Sequence, residues 1–234
     1  MMSQRSPGDE VTRQRSATVR PRDAASVMLL DRDGARVRVL MGRRHSAHVF
    51  MPDVYVFPGG RRDAGDHRLG FASDLHPTVL RALKTAGGRN LTDARARALA
   101  LAGLRELYEE AGIAVGKPSP AQAAPVPFLP DLANLRYMAR AITPPGHARR
   151  FDTRFFALFV DEAGIDPTRF LDSRELQDLQ WIDVDVTPSV RIPDITAVIL
   201  ADLKSGLDSD PSLPCERPVP LYTTRRGRFV RTLL

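Results

Sequence analysis

The chain is predicted to fold as an α/β sandwich, and three observations lead there. Apolar β-type runs occupy residues 24–30, 37–41 and 54–57, and two more, 135–142 and 155–160, follow a long helical stretch. That stretch, residues 92–111, carries its own start and stop signals. Strands on both sides of helical segments call for sheet and helix layers around a common core. With 234 residues, 43% apolar and 26% charged, the chain suits one enlarged domain that buries a sizeable core.

Each element follows from its local chemistry. Residues 1–22 are rich in arginine and are expected to form a disordered basic tail, with the folded domain over 23–205. The runs 24–30 and 37–41 flank Asp31-Arg32-Asp33-Gly34, the signal of a β-hairpin with an Asp-Gly turn. The third run breaks into Pro58-Gly59-Gly60, and two glycines leave backbone carbonyls without side-chain cover, so an ion or ligand can approach closely. An insertion follows, with a short helix over 78–84 closed by Gly87-Gly88. Thr92 or Asp93 caps the long helix, and Gly112 supplies the left-handed position that ends it. Residues 113–115 are read as the start of a strand and 118–130 as a Pro-rich connector. Residues 173–179 are read as a helical turn leading into a strand at 180–184, and 195–203 as a helix behind Pro193. From Gly206 onward the Pro- and Arg-rich tail (206–234) is expected to be irregular.

The chemistry concentrates in Arg105-Glu106-Leu107-Tyr108-Glu109-Glu110-Ala111-Gly112-Ile113. At 100° per residue, Glu109 and Glu110 fall about 60° to one side and about 40° to the other of Glu106. Leu101, Leu104, Tyr108 and Ala111 lie opposite, so the helix can bury that face and present the acids. Three like charges without an interleaved Lys destabilise an isolated helix and call for a cation among them. The nearby Arg105 points sideways, about 100° from Glu106. The competing reading is a solvated acidic face.

Together, Phe57-Pro58-Gly59-Gly60 and the Arg105–Ile113 segment resemble the Nudix hydrolases, whose box reads Gly, five residues, Glu, seven residues, then Arg-Glu-apolar-any-Glu-Glu-any-Gly-apolar. The second half matches at every fixed position. In the first half Gly60 matches, Asp66 stands for the first Glu, and residues 67–104 replace the seven-residue spacer. That split box resembles the branch of the family that includes the animal Nudix protein 19 and its coenzyme A diphosphatase relatives. Arg150-Phe151-Asp152-Thr153-Arg154-Phe155-Phe156 and the Glu175…Trp181 spacing are similar to that branch as well.

The resemblance implies an α/β/α sandwich with a mixed sheet and an inserted helical segment. It implies hydrolysis of the pyrophosphate linkage of a nucleoside diphosphate derivative, with coenzyme A or acyl-CoA the substrates of the split-box branch and ADP-ribose, NADH and nucleoside triphosphates substrates elsewhere in the family. By matching positions it implies Glu106 and Glu110 as principal ligands of Mg²⁺ or Mn²⁺, with Glu109 sharing and the Gly59 carbonyl as a further ligand. Carboxylate and carbonyl oxygens are the hard donors those ions prefer. Arg105 would anchor the helix by pairing with a box carboxylate. Glu110 and Glu175 are the candidates for general base, the latter against a plain capping role. Arg43, Arg44, Arg61 and Arg62 flank the Pro-Gly-Gly segment and could clamp phosphates. The alternative is a non-catalytic module that keeps the fold and binds nucleotide or RNA.

Composition narrows the other classes. The single Cys215 excludes an internal disulfide and any Cys-based metal site. His45, His48, His67, His76 and His147 lack helical ligand spacing, save for His45 and His48. No run reaches the ~18 apolar residues of a membrane span, and no apolar signal core stands at the N-terminus. A soluble, cytoplasmic protein is expected. The net charge of +6 gathers in arginines at both ends, which without interleaved aromatics reads as solvation rather than nucleic-acid binding. Expected partners are therefore a small nucleoside diphosphate substrate, no membrane and no nucleic acid, with a homodimer left open.

Overall fold

A computed structural model describes residues 19–46, 52–87, 91–119, 126–186 and 190–234. Most of the predicted N-terminal tail, together with His48 and Gly88, lies outside those residues. Strands β1 (Arg22–Asp33) and β2 (Arg36–Arg44) form a long antiparallel hairpin whose turn is Gly34-Ala35, with Asp33 opposite Arg36. Short strands β3 (Tyr55–Val56) and β4 (Gly59–Arg61) follow, then a 3₁₀ turn at Asp66–Arg68. Next come helices α1 (Pro77–Gly87) and α2 (Asp93–Ala111). Strands β5 (Gly116–Pro118) and β6 (Phe128–Pro130) make a separate two-stranded ribbon. The chain continues through β7 (Arg136–Ile142), β8 (Phe151–Phe159), β9 (Leu176–Asp183), α3 (Asp194–Ser209), β10 (Pro220–Arg225) and β11 (Arg228–Leu233).

One mixed sheet runs β11-β10-β7-β8-β1-β2-β3, with β4 on β1 and β9 on β2. Strand β1 is its spine. It pairs in parallel with β8 on one edge, and on the other edge first with β4 and then with β2. Alternate side chains of β1 enter two cores, as a strand buried on both faces requires. Ala25, Val27 and Leu29 join Leu99, Leu104 and Leu107 of α2 on one face. Met28 and Leu30 join Ile199 and Leu203 of α3 on the other. The result is the expected α/β/α sandwich.

Helix α2 begins and ends where its residues dictate. The Thr92 hydroxyl accepts the Arg95 N–H at 3.2 Å, and Gly112, at φ +71°, donates its N–H to the Tyr108 carbonyl at 2.9 Å. Its environment departs from the expected one-sided burial. The helix is covered nearly all round, Glu110 included, and Tyr108 is only half-buried, stacked edge-on against Phe128.

Several local expectations are corrected. The expected insertion helix forms but runs longer than 78–84, over Pro77–Gly87, and its Val79 and Leu83 join the α2-side core. Residues 113–115 precede rather than begin a strand, which starts at Gly116. No helical turn forms at 173–179. Instead the Ser173 hydroxyl accepts the N–H groups of Glu175 (3.2 Å) and Leu176 (3.0 Å), and β9 already begins at Leu176. The C-terminal region is not irregular either. Helix α3 extends to Ser209, and β10 and β11 complete the sheet beside β7. Arg226 and Gly227, at φ +50° and +76°, form the two-residue turn of that last hairpin.

Candidate active site

Strand β4 and helix α2 meet over the N-terminal half of β1. Antiparallel pairing sets Gly59 opposite Ser26 and Arg61 opposite Ala24, while Val27 donates its N–H to the Pro58 carbonyl at 2.9 Å. Counting along the ladder from that bond, Gly59 and Arg61 sit at positions whose N–H and C=O point away from β1. They point at α2. The Gly59 N–H donates to Glu110 Oε2 at 2.7 Å, and the Arg61 carbonyl accepts from Arg105 Nη2 at 3.0 Å. The Pro-Gly-Gly segment is therefore the start of a strand rather than a bare corner. Its glycines are needed for closeness. A Cβ on Gly59 would lie 2.5 Å from the Ala25 carbonyl oxygen, and one on Gly60 would lie 2.4 Å from both Cδ and Oε1 of Glu106.

Arg105 organises the acids. Its Nε donates to Asp66 Oδ1 at 2.9 Å and its Nη1 to both Glu106 Oε1 (2.9 Å) and Glu109 Oε2 (3.0 Å). Burial disfavours the Arg105 charge, but Asp66, Glu106 and Glu109 outweigh it and hold the guanidinium protonated. The cation called for by three unrelieved glutamates is, in this arrangement, partly Arg105 itself, despite its sideways helical angle. Asp66 does not face the cavity. It is 1% exposed, accepts the Asp63 N–H at 2.6 Å, and serves as the anchor of Arg105.

Glu106 and Glu110 line a cavity of about 360 Å³ together with Gly59 and Gly60. Glu110 is 6% exposed and has no salt-bridge partner among the described residues. Burial pushes its carboxyl up to about 8, against the pull of the Gly59 N–H and Arg44. Burial likewise raises Glu106 to about 7, against Arg105. Glu175 stands on the rim of the same cavity and its charge adds to both shifts.

The other predicted residues divide. Glu109 is turned outward, its side chain 45% exposed and bound to Arg105, and it is not in the cavity wall. Arg44 and Arg61 line the cavity. Contrary to expectation, Arg43, paired with Asp53, and Arg62, paired with Asp23, do not line it. Sequence reasoning missed Arg149, the Phe151, Thr153 and Phe155 row on one face of β8, and Ile195 and Thr196 in the first turn of α3. The two-residue alternation in Phe151-Asp152-Thr153-Arg154-Phe155 was the available signal for the β8 row.

By donor chemistry the floor fits a hard divalent cation. It offers two carboxylates, the buried Glu110 and the half-buried Glu106, and a Gly59 carbonyl directed to the same side. Burial raises the affinity of both for protons, and Glu106 shares its one guanidinium, Arg105, with Asp66 and Glu109. In these rotamers no three His, Cys, Asp or Glu side chains among the described residues converge as a ligand set, because Glu106 and Glu109 are drawn to Arg105.

No family model matches the chain. A solved structure of a NUDIX hydrolase from Alicyclobacillus acidocaldarius superposes with a TM-score of 0.59, covering 83% of this chain and 94% of that one at 24% identity. The fold is the Nudix fold. A curated Caenorhabditis elegans protein, provisionally named nudix hydrolase 7, is 28% identical over 182 residues, 69% of this chain. The chain spans about half the length of that relative, 51%. Among the described residues no helix is long and apolar enough to cross a membrane.

Proposed function

We propose that this Nudix-fold chain is a hydrolase that uses Mg²⁺ or Mn²⁺ to split the pyrophosphate linkage of a nucleoside diphosphate derivative, with coenzyme A and acyl-CoA among the substrates to be tried. The observation that carries this reading is the pair Glu106 and Glu110, half-buried and buried in the wall of one cavity beside Gly59 and Gly60. Glu106, Glu110 and the Gly59 carbonyl would hold the ion, with Glu109 reaching it only by leaving Arg105. When bound, the ion supplies neutralisation of the diphosphate and acidification of the attacking water.

The residues of the chain supply the rest. Asp66 fixes Arg105, and Arg105 fixes the rotamer of Glu106. The Gly59 N–H fixes Glu110. Arg44 and Arg61 bring positive charge to the cavity wall, where a phosphate oxygen would lie. Glu175, exposed on the rim, is placed to take the proton of the attacking water, and Glu110 is the competing base. Phe57 and Phe155, ring centroids 6.4 Å apart, give the cavity an aromatic wall for an organic moiety.

The test is a substrate panel in Mg²⁺ and in Mn²⁺: coenzyme A, ADP-ribose, NADH and diadenosine polyphosphates. Glu110→Gln should lower kcat at least about 10³-fold with its circular dichroism unchanged. Calorimetry that detects nucleotide binding while no substrate is cleaved would instead favour a non-catalytic nucleotide-binding module.

A further inference from the structure

A second cavity of about 520 Å³ opens beside the first and shares Arg61, Arg149 and Phe151 with it. Its wall also includes Arg22 and Arg150, and no carboxylate of the described residues lines it. Three strand ends build it. Arg22 starts β1 in register with Phe151 at the start of β8, and the Arg22 N–H donates to the Arg150 carbonyl at 2.9 Å. Arg61 ends β4, opposite Ala24. Whereas Arg61 is held by Asp63, the side chains of Arg22, Arg149 and Arg150 have no acidic partner among the described residues. Arg150 is the informative one. It is 9% exposed, and its Nε and Nη1 donate to the carbonyls of Thr143 (3.0 Å) and Val19 (2.7 Å). Two of its donors are taken by backbone oxygens, and no acid among the described residues meets its charge. A buried guanidinium without a counter-charge is costly unless an anion approaches.

We propose that this basic annex is an anion subsite of the hydrolase, one that takes a phosphate group of the substrate lying outside the scissile linkage. It rests on the hydrolase reading above, because the shared wall makes the annex an extension of that cavity. Arginines whose positions are set by strand ends present forked donors suited to phosphate oxygens. Two sources carry the same chemistry: a phosphomonoester on a ribose, or a further phosphate of a longer polyphosphate chain. Both give a preference expressed in binding.

The experiment measures kcat/KM in Mn²⁺ for NADPH against NADH and for diadenosine tetraphosphate against diadenosine diphosphate. It uses wild type, Arg22→Gln and Arg149→Gln. Wild type should favour the phosphate-richer member of at least one pair by about tenfold, through KM, and both variants should bring that ratio close to one. A preference in the first pair identifies the ribose source, and one in the second the longer chain. Equal kcat/KM within both pairs, or a preference that survives both variants, overturns the annex. If no compound is cleaved, the hydrolase reading fails by itself. Calorimetric titration of the metal-free protein with NADP⁺ and NAD⁺, then with the diadenosine pair, gives the same comparison without turnover. Equal affinities within each pair there overturn the annex.

Discussion

Replacing Gly60 by alanine should separate catalysis from folding. The new Cβ would stand 2.4 Å from Oε1 and Cδ of Glu106, where ordinary contact begins at roughly 3.4 Å, so the carboxylate must retreat by about 1 Å. Gly60 lies within β4 and does not have a left-handed backbone, so alanine is tolerated by the chain and even restricts the unfolded state. The expected stability change is within about 1 kcal/mol of zero. A misplacement of about 1 Å at a catalytic group costs on the order of 10²-fold in rate, about 2.7 kcal/mol of barrier. The assay is kcat in saturating Mn²⁺ on the best substrate of the panel, beside a thermal melt. Gly65→Ala is the control, since nothing lies within 4 Å of a Cβ at that position and its φ is −73°. Turnover within threefold of wild type in Gly60→Ala, at an unchanged Tm, would refute the placement of Glu106 at the reacting centre.

Two further outcomes follow from the buried charges. Asp66→Ala leaves Arg105 Nε without its acceptor in a site of 5% exposure, so urea denaturation should show a loss of about 3–5 kcal/mol; a loss under 1 kcal/mol would mean that Asp66 does not anchor Arg105. The metal-free protein should lose stability as pH rises. Glu106 and Glu110 hold protons more tightly folded than their usual 4.5, so their contribution is fully present below about 4.5 and is lost as pH climbs through about 7 and 8. For Glu106 alone that loss is on the order of 3 kcal/mol. Melts between pH 5 and 9 should fall without metal and flatten with Mn²⁺, whose affinity rises over the same window because it competes with those protons. A metal-free Tm that is level across this range would contradict the raised carboxyls.

The centre of the molecule was legible in the sequence and its rim was not. Helix α2 announces itself through local signals, Thr92 and Gly112, and its acids share a stripe that geometry alone predicts. The hairpin of β1 and β2 was legible for the same reason, although its turn lies one step beyond the Asp-Gly pair. The last hairpin was missed because an edge strand such as Arg228–Leu233 leaves most of its side chains exposed and lacks an apolar face. Its Arg226-Gly227 turn, between two β-type triplets, was the available clue. The partners of Glu106, Glu109 and Glu110 were beyond reach for a different reason. Whether Arg105 points sideways or folds back depends on Asp66, which lies 39 positions away and meets it only in three dimensions. The pairing of Arg43 with Asp53, of Arg62 with Asp23 and of the cavity-lining Arg61 with Asp63 likewise involves acids that sequence spacing does not assign.

The buried clasp between Asp66 and Arg105 closes the long excursion that separates them, at 2.9 Å. Everything from Arg68 to the middle of α2 thus leaves and returns through a fixed gate. Changes of length or content in the part before α2 should register as altered melting behaviour, through Val79 and Leu83, and not as displacement of the acids. The protein can therefore be remodelled between Arg68 and Thr92, about a tenth of its length, a graft site in the practical sense, while Glu106 and Glu110 stay where the clasp puts them.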